Sequence, residues 1–302
     1  MKKLIFTLPL IFATFSVHGQ NCDRFTGSLL WKITGNGLEY PCYIFGTHHM
    51  AEVSFAQNYP GFKEALESAT QVIGEIDMSE MAVAQSTMMM HAVMPAGTTY
   101  ESILSAEEVK TLDELLKTHL MAGLDQYGQY KPAMISNLMA IRLMAEAMPG
   151  FNPLGHVSID QYVQNTAQEN GKKVIGLETA LDQIQAMFYS DSLDKQAKDL
   201  LCALANLDRG RESVGQLNTA YAEGNLYEAY RITFDEQENP CQTSEEWMQN
   251  INRNRNDRWM EQLPAIFAGG PSFVAVGMLH LCGEEGLLYR LDQLGYTVSA
   301  VK

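Results

Sequence analysis

Two imidazoles and a carboxylate at the ends of buried strands could bind a divalent metal. Three short apolar runs of this chain end in such groups. Tyr43-Ile-Phe-Gly46-Thr-His48-His49 and Phe273-Val-Ala-Val-Gly277-Met-Leu-His280 each close on Gly-x-x-His. Gln71-Val-Ile-Gly-Glu75-Ile-Asp77 carries a carboxylate where a core residue would be expected. Neutral imidazole suits a divalent metal, and a carboxylate adds charge to the ligand set. An ion with an open position would acidify a bound water and polarise a scissile carbonyl. Glu75 and His280 are the expected partners of one histidine of the His48-His49 pair. Strand alternation turns those two to opposite faces, so one of them points into the site. His48 or Asp77 is then the base that takes the water's proton, or the group that orients a ligand imidazole. Asp77 reads equally as a helix cap. Gly46 and Gly277 let the backbone turn, or let something approach it closely. Glu178, at another strand end, and Asp160, opening a helix, read either as pocket groups or as N-caps and ion-pair partners. Arg255 either binds a substrate carboxylate, pairs with one of these acids, or is a structural or solvated arginine.

These residues need a sheet to bring them together. Ser28–Thr34 and Tyr40–Phe45 read as a hairpin across the Gly35-Asn-Gly37 turn signal. A helix from Phe62 to Ala69 leads to the Glu75 strand. Gly171–Leu177 and Tyr296–Val301 are further strands. Between about 80 and 240 the pattern is mostly helical. Ser105-x-x-Glu108 is a capping box, and Thr243-x-x-Glu246 is expected to cap the long helix that carries Arg255. The fold class expected is α/β: a central mixed sheet from N- and C-terminal strands, flanked by helices. The helical middle is expected to pack as an insertion or lid on one domain spanning 20–302.

Residues 1–19 read as an export signal: Lys2 and Lys3, an apolar stretch from Leu4 to Val17, and small residues before Gln20. The protein is therefore expected to be periplasmic or secreted. Cys22 offers an alternative as a lipid anchor, though Gly-Gln-Asn is a poor context for it. No later stretch is apolar for long enough to span a membrane. Losing Lys2 and Lys3 with the signal, and no acid, takes the formal charge from −15 to −17. That acidity argues against a nucleic-acid face. Five cysteines in an exported chain permit disulfides and leave at least one thiol over. Cys42 and Cys282 flank the two Gly-x-x-His runs and are expected near each other. There is no H-E-x-x-H, no G-x-S-x-G, and no Walker or Rossmann fingerprint.

The ordered set of motifs resembles the TraB/GumN family, whose animal members include the Tiki proteins. The set begins with Leu30-Trp31, Gly35-Asn-Gly37 and Phe45-Gly46-Thr47-x-His49. It continues with Glu75-Ile-Asp77, Ile159-Asp160, Gly176-Leu-Glu178-Thr179 with Gln183, and Arg253-Asn-Arg255-Asn256. It closes with Gly277-x-x-His280-Leu-x-Gly283-x-x-Gly286 and Gly295-Tyr296-Thr297-Val298. The resemblance implies a fold like the erythromycin-esterase/ChaN group. For the Tiki branch it implies a metal-dependent peptidase, with Gly46/His49, Gly277/His280 and Glu75 as the matching residues. It selects His49 over His48 as the ligand. It does not carry over the Tiki substrates.

The reading is thus an exported metal-dependent hydrolase acting on a peptide or protein, with Mn, Co or Zn held by His49, Glu75 and His280. Two alternatives use the same fold: a non-catalytic pocket for haem or iron, suggested by the ChaN-like resemblance, and a regulator that works through protein contacts.

Overall fold

Runs that are apolar on both faces become strands covered on both sides, and runs that alternate become strands with one face in water. Both kinds occur in the computed structural model, which describes residues 24–148, 155–234, 241 and 243–302. The expected signal at 1–19 and the Cys22 anchor lie outside these residues.

Six strands form one sheet: β1 Leu30–Gly35, β2 Cys42–Thr47, β3 Gln71–Gly74, β4 Lys173–Gly176, β5 Ser272–Gly277 and β6 Tyr296–Ala300. Their order is β4-β3-β5-β2-β1-β6. The inner strands β3, β5 and β2 are nearly continuous buried runs, whereas β6, at an edge, alternates buried and exposed residues. β4, β3, β5 and β2 run parallel, while β1 is antiparallel to both β2 and β6. The sheet is mixed and built from both ends of the chain, as expected.

Parallel pairing sets the register that matters. Gly74 lies opposite both Gly176 and Ala275, and Thr47 lies opposite Gly277. The residues that follow each strand therefore emerge side by side along one edge. Cys42 and Cys282 do not meet, for the same reason. Cys42 starts β2 at the opposite edge as a free, buried thiol, while Cys282 follows His280 and is disulfide-bonded. Burial pushes the Cys42 thiol up.

The main core packs the Phe62–Ser68, Ile159–Glu169 and Leu287–Gln293 helices with the sheet. The helical middle returns to the sheet at the Ile159–Glu169 helix and β4, because Ile159, Val163 and Ala167 form an apolar stripe that the sheet buries. A second core joins Leu112, Leu116, Ile135, Met139, Leu200 and Leu204 among the remaining helices. The helical run toward Arg255 starts at Ser244, whose hydroxyl accepts from Trp247 N–H, one residue later than the expected Thr243 cap. Among the described residues no helix is long and apolar enough to cross a membrane.

Candidate functional site

At the carboxyl edge of the parallel strands, Glu75 follows β3, Glu178 follows β4, His280 follows β5, and His48 and His49 follow β2. Ligands bind at such an edge in open α/β sheets. Gly46 is required there because a Cβ would lie 2.9 Å from Leu281 Cδ1 and 3.1 Å from Met278 Cβ. The turn carrying His280 thus sits directly on β2. Gly277 leaves its N–H close enough to donate to Glu75 Oε1 at 2.8 Å.

Arg255 ties these ends together. Its Nη2 donates to Glu75 Oε2 at 2.6 Å and to Glu178 Oε1 at 2.5 Å, and its Nη1 donates to His280 Nε2 at 3.0 Å. The Arg255, Glu75 and Glu178 side chains are 7%, 9% and 2% exposed, so these are desolvated ion pairs rather than solvated ones. Gln183 Nε2 bridges Glu75 and Glu178 at 3.0 and 3.1 Å. Arg258 reaches Glu178 from a half-exposed position at 3.7 Å. Burial alone would raise Glu75, but Arg255, His280, His49 and the Gly277 N–H outweigh it and hold the carboxyl well below its usual range. The Arg255 guanidinium is in turn raised: burial opposes its charge, and the two glutamates more than offset that.

The helix carrying Arg255 has a π-helical turn at Gln249–Arg253, immediately before Asn254–Met260. Such a turn changes the phase of the helix face. Asn252, Arg255, Asn256 and Trp259 are buried on it. Asn256 Nδ2 donates to the carbonyls of His280 and Glu285, which leaves its Oδ1 to accept from His280 Nδ1 at 2.8 Å. The network therefore assigns His280 the Nδ1–H tautomer, with its Nε2 lone pair facing the cluster. Burial first, and the Arg255 charge second, depress His280 to about 3, so it is neutral. Trp259 packs on the same ring at 4.4 Å between centroids.

His48 and His49 diverge, as strand alternation requires. His49 Nδ1 donates to Asp160 Oδ2 at 3.2 Å, and Asp160 Oδ1 accepts from Thr47 Oγ1 at 2.8 Å. That hydrogen bond raises His49, although its side chain is 67% exposed and solvent screens the pair. His48 turns into the protein against Tyr221, its Nδ1 accepts from Met50 N–H, and its buried Nε2 has no hydrogen-bond partner. Burial first and the His49 charge second depress it to about 4. Asp77 caps the Met78–Glu80 turn by accepting from Ser79 N–H. Neither His48 nor Asp77 makes a hydrogen bond to the cluster. Glu178 and Asp160 are not N-caps; Thr179 and Ser158 cap those helices.

Sequence reasoning on single residues missed His156, Asn256 and Gln183. His156 Nε2 donates to the His49 carbonyl at 2.8 Å, and no local pattern announces it. Asn256 and Gln183 were visible only as parts of the family motif.

Two imidazoles and a carboxylate are residue types that divalent metals take. His49 and His280 each engage Nδ1 with an acceptor, which is how metal-binding histidines are commonly oriented. The cation among the acids in this arrangement is the guanidinium. Among the described residues no group of three or more His, Cys, Asp or Glu side chains is placed to hold a metal. Loading a metal on His280 requires Arg255 to release Nε2.

No curated protein and no solved structure matches this chain. A family model does match, over residues 29–300, which takes in every strand and each of these site residues. Such membership is consistent with a general enzymatic role. Set beside the strand-edge cluster, the match shows that this chain belongs to the TraB/PrgY/gumN family.

Proposed function

We propose that the protein is an exported metal-dependent hydrolase that cleaves peptides at the strand-edge cluster. One observation carries this reading: His49 and His280, from two separate strand ends, both engage Nδ1 with an acceptor, and both act electrostatically on the buried Glu75 carboxylate. His49, His280 and Glu75 would hold the ion. The ion would supply Lewis acidity and an activated water. Asp160 and Asn256 fix the two imidazoles in orientation. Gln183 and the Gly277 N–H fix Glu75. Arg255 anchors Glu178 and, once released from His280 Nε2, can meet a substrate carbonyl or carboxylate as a fork of donors. The Cys202–Cys241 disulfide supports the exported location, since such bonds persist in oxidising compartments.

The test is elemental analysis of the purified protein before and after reconstitution with Mn²⁺, Co²⁺ or Zn²⁺, beside a His49→Ala/His280→Ala variant, followed by a peptide-cleavage screen. Near-stoichiometric metal that the variant loses, with metal-dependent cleavage, is the expected result. No metal in either protein sinks the reading. A Soret band on haem addition would favour the haem pocket instead. N-terminal sequencing of the exported protein locates the cleavage point and distinguishes a free start at Gln20 from a modified Cys22.

A further inference from the structure

Cys282 lies two residues beyond His280, is 2% exposed and is disulfide-bonded. Its partner follows by elimination. The chain has five cysteines. Cys202 is bonded to Cys241, and Cys42 is a free, buried thiol. Within one chain that leaves Cys22.

A second observation brings the start of the described residues to the same place. Arg24 donates from both Nη atoms to Asp292, at 2.5 and 2.8 Å, across a separation of 268 residues. Asp292 is on the Leu287–Gln293 helix, which begins against Cys282: a Cβ on Gly286 would lie 2.4 Å from the Cys282 carbonyl oxygen. Gly286 to Asp292 spans about 9 Å of helix at about 1.5 Å per residue. Cys22 precedes Arg24 by two residues, a reach of about 7 Å when extended, and the arginine side chain adds its own length. That range covers the Cα separation of about 4.4–6.8 Å that a disulfide needs.

We propose that Cys22 is the disulfide partner of Cys282, so that the N-terminal segment of the exported chain is stapled to the turn that carries His280, and Cys22 carries no lipid. The two fates of Cys22 exclude each other, because a lipid anchor would be a thioether on the same Sγ that the disulfide uses. Formation is a two-electron oxidation. The two thiols give up two protons and two electrons to the disulfide of a thiol–disulfide oxidoreductase, which leaves as a dithiol. The exported location read from the sequence supplies that oxidising setting, and the pairing does not depend on the hydrolase reading. Leu281, between His280 and Cys282, is the residue that a Cβ at Gly46 would strike, and the His280 carbonyl accepts from Asn256. A covalent tie at Cys282 adds to these contacts in fixing the His280 turn.

The test is disulfide mapping of the full exported protein: free thiols are alkylated in denaturant without reduction, and tryptic peptides are weighed by mass spectrometry. Cys22, Cys42 and Cys282 fall on separate peptides, bounded by Arg24, Lys32, Lys63, Arg258 and Arg290. The expected result is an alkylated Cys42 and a linked Cys22–Cys282 pair. In Cys22→Ser and Cys22→Ala the Cys282 thiol becomes alkylated, and the melting temperature falls by at least about 4 °C. Cys282 alkylated in wild type, linked to Cys42, or joined in a Cys282–Cys282 dimer overturns the proposal, as does a diacylglycerol mass on Cys22. A linked pair whose loss leaves the melting temperature unchanged overturns the stapling. The link in a protein that binds no metal and cleaves no peptide supports the pairing and counts against the hydrolase reading alone.

Discussion

Arg255 supplies the buried positive charge opposite Glu75 and Glu178. Removing one partner from a buried ion pair leaves a desolvated charge and costs about 3–5 kcal/mol. Arg255→Met should lose stability of that order in urea denaturation of the metal-free protein, and Arg255→Lys should not fully restore it, because an ammonium lacks the planar fork. Added Mn²⁺ should recover part of the loss in Arg255→Met, since a second cation can answer the same carboxylates. Asp160→Asn and Asn256→Ala loosen the two imidazoles, and each should weaken metal binding by about 10–100-fold, read by titration calorimetry. The buried histidines set an acid sensitivity. His48 is depressed to about 4 and His280 to about 3. An unfolded imidazole titrates near about 6.5. Below that pH the unfolded chain takes up protons that the folded one refuses, so stability falls as pH drops from 6.5 toward 5. The slope for each histidine approaches about 1.4 kcal/mol per pH unit. The melting temperature of metal-free protein across that window should fall about half as steeply in His48→Phe.

At the scale of elements, the site depends on how closely two strand ends pack. A Cβ at Gly46 would press on Leu281 and Met278, which hold the turn carrying His280. Gly46→Ala should cost about 1–3 kcal/mol as overpacking. It should also weaken metal binding, because the displaced turn carries His280, a ligand in the proposed site; thermal melts and metal titration read the two effects separately. The strands at Glu75, His49 and His280 were legible as apolar runs ending in glycine and a polar group. The capping box at Ser105 was legible as well and is present. The Ser244 cap was displaced by one residue from its expected place, since Thr243 and Ser244 are adjacent and either can end the loop. The π-helical turn before Arg255 has no sequence signal; from it Asn252 Nδ2 donates to the Leu279 carbonyl beside His280, a long-range contact that local propensity does not name.

For the whole molecule, the Cys202–Cys241 bond ties the helical middle to the segment leading toward Arg255, across a separation of 39 residues. Removing it with Cys202→Ser/Cys241→Ser should cost about 2–4 kcal/mol in urea denaturation, mostly by freeing the unfolded chain. Several things were determined by the sequence itself. Period and polarity settle which runs become buried strands, and the ordered motifs identify the family. Hydropathy and spacing are local properties, and each segment carries them on its own. Other things only the tertiary structure decided. Parallel register brought Glu75, Glu178 and His280 to one edge and sent Cys42 to the other. Packing turned His48 into the core and left His49 beside Asp160. The guanidinium of Arg255 settled between two carboxylates and an imidazole that lie far apart in the chain. Those outcomes depend on which surfaces meet, and the free energy of a desolvated charge is set by neighbours that no local pattern names.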